Sequence, residues 1–128
     1  MPDIKVKNLT VTYIDKKKNE TVAVRGLSAR FDAGTLNVVM GFSGCGKTTL
    51  LNVIGGLDKV NGGKVFVNGQ RITRRSSGRI DKIRNLNIGY IFQNYNLVEN
   101  MTVFENVAVA LRMAGVKDKK EIEEKVSY

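Results

Sequence analysis

The sequence predicts an α/β fold with an antiparallel β portion ahead of it, on three observations. Residues 35–57, TLNVVMGFSGCGKTTLLNVIGGL, read as an apolar strand, a glycine loop and a helix. Two alternating segments precede this unit, Ile4 to Tyr13 and Val22 to Phe31, and read as paired strands. After it, Ile88-Gly89-Tyr90-Ile91-Phe92 is a near-continuous apolar run, the pattern of a strand covered on both faces.

Residues 1–34 are expected to form the antiparallel hairpin. Ile4 and Val6, then Leu9, Val11 and Tyr13, alternate with a change of parity near Lys7 and Asn8, which predicts one strand with a bulge. DKKKNE, residues 15–20, is a charged turn. Val22, Val24, Leu27, Ala29 and Phe31 alternate again and change phase at Gly26. Residues 35–57 carry the loop strand and helix, with Gly55 and Gly56 weakening the helical pattern towards its end. Residues 58–92 supply a turn at Asn61-Gly62-Gly63, a short strand at Lys64 to Val67, a hairpin-type turn at Asn68-Gly69, a basic stretch, and the strand at 88–92. In residues 93–128, Thr102 with Glu105 is a capping box, with Val103, Phe104, Val107, Ala108, Leu111 and Ala114 along one helical face and Gly115 as the stop. Asp118 with Glu121 repeats the start signal for a last helix striped by Ile122 and Val126.

The spacing Gly41-x-x-x-x-Gly46-Lys47-Thr48 has a chemical reason. A polyphosphate is held by several backbone N–H groups pointing inward, and Gly41, Gly44 and Gly46 let the chain wrap closely enough to supply them. The same N–H groups open a helix, whose unpaired donors and positive dipole end face the anion. Lys47 then reaches the β- and γ-phosphates, and the Thr48 hydroxyl is placed for Mg²⁺. A phosphate-loop (P-loop) nucleotide-binding fold follows.

Composition sets outer bounds. Of 128 residues, 42% are apolar and 26% charged, the balance of a chain that folds around a core. The formal charge of +9 favours anionic partners without choosing among them. Cys45 is the only cysteine, which excludes an intrachain disulfide and a cysteine metal site and reads as a reduced, intracellular chain. MPDIKVKN has no apolar signal region, and no run approaches the roughly 18 apolar residues of a membrane helix. The basic stretch RITRRSSGRIDKIR, with Arg71, Arg74, Arg75, Arg79, Lys82 and Arg84, reads as a solvated face. It has no interleaved aromatics to stack bases, so no nucleic-acid partner is expected.

With Tyr13 upstream and IGYIFQNYNLVENMTVFENV downstream, the whole chain resembles the ATP-binding subunit of an ABC transporter. Within that family it is most similar to the bacterial lipoprotein-release, macrolide and antimicrobial-peptide export branch, on TLLNVIGGLDKVNGGKVFVNGQ and GYIFQNYNLVENMTVFENV. The resemblance implies that Gly41 to Thr49, Ser43 and Cys45 included, cradle ATP, with Thr49 near the α-phosphate. Tyr13 stacks on adenine, and Gln93 touches Mg²⁺ and the attacking water, which with Lys47 makes the catalytic pair. It further implies a transmembrane permease subunit near residues 94–101, a second ATP-binding subunit, and a cytoplasmic location at the inner face of the membrane. Cys45 departs from the serine or asparagine often found at its position.

The family also has an apolar strand ending in Asp-Glu, a serine-glycine-glycine signature and a switch histidine. None of these is present, and the sequence has no histidine at all. Ser76-Ser77-Gly78 precedes Gln93 and is not that signature. The expectation is a chain truncated within the helical subdomain, binding ATP without turning it over, with its apolar strand edges left unpaired. Alternatives are a stand-alone non-catalytic nucleotide-binding module, or a basic nucleic-acid-linked ABC protein.

Overall fold

The computed structural model describes residues 3–73 and 78–127 and divides into two compact units, Met1–Ile88 and Gly89–Tyr128. Arg74, Arg75, Ser76 and Ser77 lie outside the described residues, as do the side chains of Arg79 and Lys82.

In the first unit β1 (Ile4–Ile14) and β2 (Glu20–Phe31) pair antiparallel, Ile4 opposite Phe31 and Tyr13 opposite Thr21. Both changes of parity appear as irregularities of one register. At Asn8 the backbone turns to φ 47°, its N–H donates to Ser28 Oγ at 2.9 Å, and the pairing slips between Val6 and Leu9. Across the ladder the Gly26 N–H donates to Thr10 Oγ1 at 3.1 Å, between the pairs Leu9 with Leu27 and Val11 with Val24. The slips let Val6, Leu9 and Val11 all turn inward, where each is at most 2% exposed. The hairpin closes on Asp15, whose carboxylate accepts from the Asn19 side chain and from the backbone N–H groups of Asn19 and Lys17; these bonds hold its pKa below the ordinary value.

β3 (Gly62–Val67) pairs antiparallel with the other edge of β1, and β4 (Gln70–Arg71) follows through Asn68-Gly69, giving the order β2-β1-β3-β4. Both turn residues have positive φ, 51° and 75°, the geometry that asparagine and glycine favour in a two-residue hairpin. Against this sheet packs α1 (Lys47–Ile54) through Leu50, Val53 and Ile54, making one core with Val6, Leu9, Val11, Val24, Val65, Val67 and Ile72. α2 (Gly78–Asn87) is tied to the end of α1 by Arg84, whose guanidinium donates to the Gly56 carbonyl at 3.0 Å.

Two expected strands are not formed. Residues 36–40 and 88–92 have no strand hydrogen bonding, and Leu36, Val38, Met40 and Ile91 are largely exposed. The reason is physical: a strand's N–H and C=O groups need a neighbouring strand, and among the described residues no strand runs beside either segment. Only Val39 and Ile88 reach the core.

The second unit contains α3 (Val103–Met113) and α4 (Lys119–Val126), which pack on each other with Ala108 and Ile122 buried. The capping box forms as expected. Thr102 Oγ1 accepts from the Glu105 N–H at 3.2 Å, and Glu105 accepts from the Thr102 N–H at 2.8 Å. That backbone donor, then the Thr102 hydroxyl, holds the Glu105 pKa below the usual carboxylate value. Asp118 caps α4 by accepting from the Glu121 N–H at 2.8 Å. Of the predicted face of α3 only Ala108 is fully covered, while Val103 and Val107 stay exposed.

Candidate nucleotide site

The candidate site begins where β2, the glycine loop and α1 meet. Gly46 is the residue before α1 and has φ 95°, a left-handed conformation open to glycine at little cost. A Cβ there would stand 2.3 Å from the Ala23 carbonyl oxygen of β2, so the loop is pressed against the sheet where it turns into the helix. The helix start has no side-chain cap, and the first intrahelical bond is from the Leu50 N–H to the Gly46 carbonyl at 2.9 Å. The amides ahead of Leu50 open the helix without an intrahelical acceptor, and their dipole end favours an anion.

Lys47 folds back across the loop. Its Nζ donates to the carbonyls of Gly41 at 2.8 Å and Phe42 at 2.7 Å, and lies 3.7 Å from Cys45 Sγ. The ammonium therefore sits within the curve of the glycine loop, on the loop's own carbonyl oxygens. Cys45 is exposed, and its sulfur fills the space beside Gly41, where a Cβ would approach it to 2.5 Å. Ser43 and Gly44 form the exposed crest of the loop, and Thr48 is exposed one residue into α1. Beneath the loop a cleft of about 250 Å³ is lined by Ala23, Arg25, Val39, Cys45 and Lys47 among others.

Thr49 is the one polar residue of α1 that is buried, at 9% exposure, and it faces β1. Its Oγ1 lies 3.3 Å from the Tyr13 hydroxyl, which is also 2.5 Å from Asp58 Oδ2. The phenol has a single proton and a carboxylate can only accept, so Tyr13 donates to Asp58, and the Thr49 hydroxyl completes the triangle. Burial, and then the bond to Asp58, raises the Tyr13 pKa. Tyr13 nevertheless remains 41% exposed as a residue. The structure thus brings Tyr13 and Thr49 together, and gathers Gly41, Cys45, Gly46 and Lys47 around one loop.

Gln93 belongs to the second unit, exposed in the turn that follows Phe92. The Tyr95 N–H donates to the Phe92 carbonyl at 3.1 Å in that turn, and Tyr95 and Asn96 both have positive φ. Asp58 had no local signal in the sequence as a site residue. It lies 45 positions from Tyr13, and only folding brings the two together.

Among the described residues no group of three or more His, Cys, Asp or Glu side chains could hold a metal ion. The donor set at Thr48, a single hydroxyl beside a phosphate loop, suits Mg²⁺ that takes its other oxygens from a polyphosphate and water. No helix of the described residues is long and apolar enough to cross a membrane.

Comparison with known proteins matches residues 24–127 to the ABC transporter family. A methionine import ATP-binding protein of Desulfitobacterium hafniense (strain Y51) is 38% identical over 123 residues, covering 96% of this chain and 35% of that protein. A sulfate/thiosulfate import ATP-binding protein of Ralstonia nicotianae is 39% identical over 106 residues, covering 83% of this chain and 27% of its own length. The dimeric structure of a post-hydrolysis state of the ATP-binding cassette MJ0796 bound to ADP and Pi superposes with a TM-score of 0.87 at 32% identity, covering 97% of this chain and 54% of that one. The chain thus spans about a third of the methionine import protein and about half of the solved cassette.

Proposed function

We propose that this chain, which belongs to the ABC transporter family, binds ATP with Mg²⁺ at the glycine loop between residue 41 and Thr49. The observation that carries this reading is the uncapped start of α1, with Lys47 held inside the loop that leads into it. An arriving polyphosphate exchanges the Gly41 and Phe42 carbonyls for its own oxygens as partners of the ammonium, and takes up the helix-opening amides. Thr48 binds Mg²⁺, Thr49 lies towards the α-phosphate, and the exposed face of Tyr13 receives the adenine. Gln93 is proposed to approach Mg²⁺ and the attacking water, through a turn that couples the site to a membrane partner.

In the whole protein the proposed activity is ATP hydrolysis coupled to transport. The partners are a transmembrane permease and a second ATP-binding subunit, and the place is the cytoplasmic face of the membrane. The present 128 residues supply the nucleotide cradle, and with no histidine and no Asp-Glu pair they bind ATP without turning it over. Two supports point to different branches. The relatives described above are named as import ATP-binding proteins. The segments TLLNVIGGLDKVNGGKVFVNGQ and GYIFQNYNLVENMTVFENV resemble the lipoprotein-release and export branch.

Titration with a fluorescent ATP analogue tests the reading. Lys47→Ala is expected to weaken binding by at least about tenfold, the scale of one lost hydrogen bond to a charged group. Circular dichroism should show the fold retained. Equal affinity in a folded Lys47→Ala chain would remove Lys47 from the site.

A further inference from the structure

Asp58 stands in the connection between α1 and β3, and both of its carboxylate oxygens are engaged. Oδ1 accepts from the Lys59 N–H at 2.9 Å, and Oδ2 accepts from the Tyr13 hydroxyl. The connection itself is fixed to β1 three residues further on. The Asn61 N–H donates to the Thr10 carbonyl at 3.0 Å, and Asn61 Oδ1 accepts from the Thr12 N–H at 2.7 Å. At its other end, the Leu57 N–H donates to the Asn52 carbonyl of α1 at 2.8 Å. Asp58 is thus held from both sides, and what it holds in turn is the far end of the Tyr13 side chain.

A tyrosine on a strand turns about two side-chain bonds, and a ring left free loses that freedom when a base stacks on it. Here the ring is fastened at its hydroxyl beside Thr49, while Tyr13 as a residue stays 41% exposed. Burial and the bond to Asp58 keep the phenol protonated, so the donor persists well above neutral pH. We propose that Asp58 is a positioning residue for recognition of a nucleobase: its carboxylate anchors the Tyr13 hydroxyl beside Thr49 and presets the ring face on which the base stacks. The inference rests on the reading of the loop as an ATP site. It adds a residue that touches neither phosphate nor base, and it ties base recognition to the helix that holds the phosphates.

Two ligands separate the roles, MgATP and magnesium tripolyphosphate, which has the phosphates and no base. Both are titrated calorimetrically against the 128-residue chain and its Asp58→Ala, Asp58→Asn, Tyr13→Phe and Tyr13→Phe/Asp58→Ala variants. Asp58→Ala is expected to weaken MgATP about fivefold, the scale of immobilising one side chain, and to leave tripolyphosphate unchanged. Tyr13→Phe should cause a similar loss, with no further loss in the double variant. Asp58→Asn, whose amide oxygen still accepts from the phenol, should come back to within about twofold of wild type. The inference is overturned if Asp58→Ala leaves MgATP binding intact, weakens both ligands alike, or acts undiminished on top of Tyr13→Phe. A wild-type chain that binds neither ligand would overturn the nucleotide reading along with it, whereas those three results would leave that reading standing.

Discussion

Residues 36–40 lead into the phosphate loop and residues 47–54 lead out of it. Both are rich in Leu, Val and Met or Ile, yet Leu36, Val38 and Met40 are 94%, 73% and 86% exposed while Leu50, Val53 and Ile54 are 5%, 1% and 8%. The difference lies in where each segment finds its backbone partners. α1 closes its hydrogen bonds within itself, so it needs the sheet only to cover one face. A strand must borrow every partner from a neighbour. β1 has two, β2 on one side and β3 on the other, and segment 36–40 has none among the described residues. The loop is therefore seated from its helix side, by α1 and by the contact of Gly46 with β2.

The largest effect expected from this comparison is at that contact. Gly46→Ala places a Cβ 2.3 Å from the Ala23 carbonyl oxygen at φ 95°, and is expected to cost about 3 kcal/mol from the strained backbone and the clash together. Gly44→Ala, at φ 76° with no atom within 4 Å of its Cβ, should cost only about 1 kcal/mol. Urea unfolding at constant slope measures both. Equal losses would mean that the loop is not seated on β2 through Gly46.

A smaller effect tests local closure in the second unit. The Glu105 pKa is lowered in the folded chain, so its cap stabilises α3 fully above the unfolded carboxylate pKa of about 4.3. That stability is lost as pH falls through the lower folded value. Thermal midpoints should therefore fall more steeply below about pH 4 in wild type than in Glu105→Gln. Parallel curves would show that the box contributes nothing measurable.

The same locality explains what could be read in advance. The parity changes at Asn8 and Gly26, the Asn68-Gly69 turn, the capping box at Thr102 and the cap at Asp118 are all written within a few residues, and each formed. The glycine loop and the helix that follows it were likewise readable from one stretch. The failures share the opposite property. Strands at 36–40 and 88–92 depended on neighbours that their own residues cannot specify. Asp58 meets Tyr13 across 45 positions. Asn106, whose amide donates to the carbonyls of Val98, Met101 and Thr102 and whose Oδ1 accepts from the Val98 N–H, pins the loop before α3 with no pattern in the sequence to announce it.

Residue-resolved amide hydrogen exchange on the 128-residue chain tests the central contrast most directly. Amides of β1 and of Leu50 to Ile54 should exchange slowly, while those of 36–40 and 88–92 should exchange close to the rates of an unstructured chain. Protection at 36–40 equal to that of β1 would contradict the account, because it would mean that the strand leading into the phosphate loop is paired.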